Sequence, residues 1–224
     1  MKNLIILFGL GLLVFNIEAQ FKNPFAEIQK AVEDVQKEVS SGGNISATQA
    51  NLMAQLTDAL GDVAAAQSII AEAQGNAEKA AALKNTSDTL KGGNASDKEI
   101  KGAVDIVSST AKEQQAVFNK SETVSAESKA LYAKALLPYV KSVAKTSKLS
   151  GPIKSFAAEA QAEIQGIASN PLRIVKLKKT LDVGLFVGKN VPKLIVSLLS
   201  SSKDLLTFAK SNDLDTSEAD SIEL

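Results

Sequence analysis

Residues 46–90, SATQANLMAQLTDALGDVAAAQSIIAEAQGNAEKAAALKNTSDTL, decide the fold. Leu52, Leu56, Leu60, Val63, Ile70, Ala73, Ala77 and Ala80 recur at helical spacing and lay one apolar stripe along a long helix. Ser46, with Gln49 three residues on, reads as a capping box at its start. Gly61 and Gly75 read as weak interruptions and Gly92-Gly93 as its end. Just upstream, Asn23-Pro24 supplies a cap and a first-turn proline for a shorter helix carrying Phe25, Ile28, Val32, Val35 and Val39, which Ser41-Gly42-Gly43-Asn44 is expected to stop.

The same period continues downstream. Ser96 and Glu99 form a second capping box ahead of Ile100, Val104, Val107, Ala111 and Phe118. A fourth helix is expected from about Ser125 to Lys148, with Leu131, Leu136, Val140 and Val143 on its stripe and Pro138 kinking or splitting it. Ser150-Gly151-Pro152 precedes a fifth, built on Ile153, Phe156, Ala157, Ala160, Ile164 and Ile167. Asn170-Pro171 starts a basic stretch that Val191-Pro192 is expected to divide in two. The run Val183 to Gly188 is short, apolar and flanked by Gly, but no second strand exists to pair with it, so it reads as buried helix. The expected fold is all-α: an antiparallel bundle of about five to seven amphipathic helices, elongated if long helices hold register as a coiled coil.

The first residues carry an address. Lys2, the apolar run Leu4 to Phe15 and the small residue Ala19 make a secretory signal peptide over 1–19, and the run is too short for a span of roughly 20 apolar residues. The remaining chain divides into a helical bundle domain, 20–210, and an acidic, disordered tail, 211–224. A secreted, extracellular location is expected, with the bacterial periplasm as the alternative.

Composition removes whole classes of chemistry. The chain has no Cys and no His, which excludes disulfides, thiolate nucleophiles, zinc sites of ordinary build and His-based triads. Aromatic residues make up 4% with no Trp, which argues against base-stacking surfaces and hence a nucleic-acid partner. Acidic pairs such as Glu33 with Asp34, Asp58 with Asp62 and Asp213 with Asp215 lack the spacing of a Ca²⁺ loop, so no metal, cofactor or catalytic residue is expected and the protein reads as a non-enzyme.

Net charge is zero, but it is unevenly placed. Residues 20–130 hold 11 Lys against 15 acidic side chains, 131–210 hold 13 Lys or Arg against 4, and 211–224 hold 5 acids with no base. Within the basic block, lysines alternate with a broad apolar face, the pattern of a helix that lies in a lipid headgroup layer with its Lys stems snorkelling, and also that of a plain bundle helix. The residues expected to meet an apolar or amphipathic ligand or a lipid surface are Leu177, Leu181, Leu185, Phe186, Ile195 and Leu199, with Lys176, Lys178 and Lys179 on anionic headgroups. The competing expectation is a structural or protein-interaction bundle with a dry core. Four Asn-x-Ser sequons, at Asn44, Asn85, Asn94 and Asn119, are expected in or beside loops as N-glycosylation sites.

Overall fold

The computed structural model describes the backbone of residues 24–120, 123–167 and 171–224, and the side chains of 49–120, 123–162 and 182–224. The expected signal peptide lies outside the described residues. Among those residues every regular element is helical: α1 Pro24–Ala73, α2 Ala77–Lys91, α3 Asp97–Phe118, α4 Ala126–Ser147, α5 Ser150–Ile167, α6 Pro171–Ser211 and the single turn α7 Ser217–Asp220. The chain forms two units, Met1–Gly43 and Asn44–Leu224, and the packing that follows belongs to the second.

Local chemistry explains the helix ends. Ser96 caps α3 through the expected box: its hydroxyl accepts from Glu99 N, while its own N–H donates to Glu99 Oε2 at 2.6 Å. Gly75 proves to be a full break. With φ +74° it closes α1, Asn76 N donates back to Ala71 O at 2.9 Å, and the Asn76 side chain accepts from Lys79 N to start α2. The expected stop at Ser41 to Asn44 does not form, since the helical backbone of α1 passes through both glycines and Ser46 is interior rather than a cap. Glycine in a helix costs about 1 kcal/mol but forbids nothing. Pro138 and Pro192 likewise sit inside α4 and α6 without dividing them. Buried residues on both flanks, Leu136 with Tyr139 and Val191 with Leu194, hold each helix together where the proline removes one hydrogen bond.

Helix directions follow from who meets whom. The turn at Gly75-Asn76 reverses the chain, and Ser87 Oγ donating to Gly61 O with Lys91 paired to Asp62 holds α1 and α2 side by side as an antiparallel hairpin. Along α6, Tyr132 packs edge-on to Phe208 at 4.8 Å, Tyr139 lies beside Ser201, and Phe156 lies against Gly184. These contacts share a single antiparallel register. The two helices α4 and α5, separated by only Lys148 and Leu149, therefore run one after the other along the 41-residue α6. By contrast α3 runs parallel to α6: Lys101 sits over Phe186, Gln115 Nε2 donates to Ser200 Oγ and Asp204 Oδ2, and Phe118 meets Phe208. The bundle is thus not antiparallel throughout.

Leu56, Leu60, Ile70, Leu83, Leu136, Ile153, Phe156, Leu194 and Leu198 are fully buried and fill one core. A polar layer interrupts it. Gln67 Nε2 donates to Val107 O and Gln114 Nε2 to Gln67 O, stitching α1 to α3. Nearby, the hydroxyls of Thr110, Tyr139, Ser201 and Ser202 are buried without hydrogen-bond partners. Burial pushes the Tyr139 phenol up to about 12.

The acidic segment 211–224, expected to be disordered, is instead structured. Ala219 is buried, Leu214, Ile222 and Leu224 pack against the core, and Asp220 accepts from both Lys210 and Thr216. Average composition hid these few apolar residues, and they suffice to dock a turn.

A Cβ on Gly184 would collide with the buried Phe156 ring, and one on Gly188 would lie 2.7 Å from Ala157 Cβ. Gly184→Ala is expected to lower the unfolding free energy by about 1–3 kcal/mol. Gly102→Ala, facing open space on α3, is expected to raise it by about 0.5–1 kcal/mol. Urea denaturation followed by circular dichroism reads both. In the same assay Thr110→Val, which removes an orphaned hydroxyl at nearly constant shape, is expected to stabilise by about 1 kcal/mol.

Candidate functional site

Burial divides α6 into two sides. Val183, Val187, Val191, Leu194, Leu198, Leu205 and Phe208 lie in the core. The stretch Asp182–Ser211 is long and apolar enough, by length and composition, to cross a membrane, and part of its apolar surface is the buried stripe. The opposite side carries Leu185, Lys189, Val196 and Lys203 at intervals of four and seven residues, with Lys193 beside them, all exposed. Intervals of four and seven keep side chains on one helical face. Val196 is 67% and Leu185 41% exposed, and with Val117 on α3 they are the large apolar side chains that the described surface leaves open. Two apolar side chains thus stand among three ammonium groups.

The residues expected to contact lipid separate accordingly. Leu185 is exposed as that role requires, and Phe186 is half-buried with Lys101 Nζ 5.4 Å from its ring centroid. Leu199 is half-buried against the core and Ile195 is buried in it, so Ile195 is not a surface contact in this packing. Helical period alone did not tell which apolar residues of a broad face turn inward. Val196, next to Ile195, is the exposed one, and sequence reasoning missed it. The side chains of Lys176, Leu177, Lys178, Lys179 and Leu181 lie outside those described.

A second charged feature joins α1, α2 and α4. Asp62 accepts from Lys91 at 2.8 Å and Lys145 at 2.7 Å, and Lys145 also reaches Asp58. Partial burial would raise the Asp62 carboxyl, but hydrogen bonds from Lys145 and Lys91, with their charges, hold it below the ordinary aspartate value. Burial would lower the Lys145 ammonium, and Asp58 and Asp62 raise it instead. The carboxylate pair noted in the sequence is therefore engaged by lysines. This network borders a groove of about 390 Å³ between α1 and α4.

Among the described residues no group of three or more acidic side chains is placed to hold a metal ion. Of the sequons, Asn94 stands exposed in the α2–α3 loop and Asn119 is exposed at the C-cap of α3. Asn85 instead lies within α2, and its acceptor-motif Ser87 is buried, donating to Gly61 O. The Asn44 side chain is not among those described. Comparison with protein-family models, curated proteins and solved structures finds no match.

The sign of the Asp62 shift fixes a pH dependence. A carboxyl whose folded value lies below its unfolded one stabilises the fold above about pH 4, and that contribution is lost as pH falls through the folded value. Asp62→Asn is expected to cost about 0.5 kcal/mol at neutral pH after solvent screening. The gap to the parent should close below about pH 4 and shrink in high salt, as urea melts across a pH series would show.

Proposed function

We propose that this protein is a secreted, non-enzymatic helical bundle that engages an anionic lipid surface along the outer side of α6. The observation that carries the reading is the juxtaposition of exposed Leu185 and Val196 with Lys189, Lys193 and Lys203 on one helical face. Apolar side chains that enter the headgroup layer and lysines that stay beside phosphates act in concert, the first through burial and the second through charge. Lys176, Lys178 and Lys179, earlier on the same helix, add to the basic density. The apolar run at the N-terminus supports export.

A second reading, an extracellular or periplasmic bundle whose partner is another protein, is favoured by the closeness of the core. The grooves described lie at the surface, and the large aliphatic side chains of α1, α4 and α6 are spent on one another.

Sedimentation with vesicles that contain a third anionic lipid separates the two. The parent is expected to bind, with affinity falling as salt rises. Lys189→Gln with Lys193→Gln should weaken partitioning by about 30-fold, at about 1 kcal/mol for each lysine. Failure of the parent to bind, or equal binding by the double variant, removes the lipid reading and leaves the protein-interaction bundle.

A further inference from the structure

The groove between α1 and α4 combines an apolar floor with a cationic rim. Ala65, Ala66 and Ile69 of α1 and Pro138 of α4 form the floor, while Lys91, Lys141 and Lys145 surround it with Asp62 at one end. No residue of α6 lines it, so it is a separate place from the exposed stripe.

Its charges are organised rather than scattered. Asp62 holds Lys91 and Lys145 by one oxygen each, which fixes two long side chains on helices from different parts of the chain. Lys141, one turn before Lys145 and exposed, adds a third ammonium to the rim. Three ammonium groups against Asp62 and Asp58, which also pairs with Lys145, leave the rim one positive charge in excess, although the residues between 20 and 130, which include α1 and α2, are acidic on balance. An apolar floor beside a cationic rim matches a ligand with both characters and discriminates against ions that lack a chain and chains that lack a charge.

We propose that this groove binds a single-chain anionic amphiphile, with its headgroup between Lys141 and Lys145 and its alkyl chain along Ala65, Ala66, Ile69 and Pro138. Asp62 and Asp58 then act as competitors, because both occupy the Lys145 ammonium that the headgroup needs. Binding at this site and attachment of α6 to a lipid surface are independent, because the two use different residues.

Isothermal titration of the full-length mature chain with dodecyl phosphate, kept below its micelle concentration, tests the site. Saturable one-to-one binding is expected, with inorganic phosphate at least ten-fold weaker. Asp62→Asn, which releases Lys91 and leaves Lys145 paired with Asp58 alone, is expected to tighten binding about five-fold, whereas Glu113→Gln, which releases Lys79 elsewhere, leaves it unchanged. Lys141→Gln should weaken binding about five-fold and Ile69→Asp at least ten-fold, with circular dichroism confirming that each variant is folded. Absence of saturable binding, inorganic phosphate binding as tightly as the amphiphile, or indifference to Asp62→Asn and Ile69→Asp each overturns the proposal. Vesicle binding by the Lys189 and Lys193 variants is read separately, so failure of one site does not decide the other.

Discussion

The length of α6 is the constraint on which the rest of the bundle depends. A helix of 41 residues extends about 60 Å at 1.5 Å per residue. From Val183 to Ala209 its apolar side is buried, and the 22-residue α4 is too short to cover α6 alone. The chain meets this demand by running α4 and α5 one after the other against it, with only Lys148 and Leu149 between them. Leu149 is itself buried, and its carbonyl accepts from Ile153 N to open α5. The covering surface therefore continues across the join.

Two unlike contacts fix this arm on α6. Near α5 the backbone of α6 comes close because Gly184 and Gly188 have no side chain, and Phe156 and Ala157 take the space. Near α4 the contact is polar, with Tyr139 beside Ser201 and Gln67. The first gains dispersion and buried apolar area; the second carries desolvated hydroxyls that offset part of that gain. The aromatic group of Phe118, Tyr132 and Phe208 closes the end where α3, α4 and α6 meet, and the edge-on packing of Tyr132 against both phenylalanines suits ring quadrupoles.

Because one side of α6 is committed to this core, the described residues that it leaves to solvent lie on the other side. Ile195 and Val196 illustrate the division: adjacent and nearly alike in chemistry, they are 5% and 67% exposed. Ile195 stabilises the bundle by leaving water, whereas Val196 stays in contact with it. The groove over Asp62 arises differently, from α1, α2 and α4 being braced by ion pairs at their outer edges.

The sequence alone determined the helical character of the chain, because a 3.6-residue apolar period is a property of neighbours along the chain. The Ser96–Glu99 cap and the break at Gly92-Gly93 were legible for the same reason. It did not determine where glycine or proline interrupts a helix: Gly75 ends one while Gly42, Gly43, Pro138 and Pro192 do not. At Pro138 and Pro192 buried flanks outweigh a local penalty of about 3 kcal/mol, and those flanks are buried by residues remote in sequence. Only the tertiary structure decided the parallel course of α3 and α6, the docking of α7 and the selection of Leu185 and Val196 as outward members of an apolar face. It also brought Lys141 and Lys145 to Asp62, about eighty residues away along the chain. Such pairings come from helices competing for shared surface, which periodicity in a single segment does not encode.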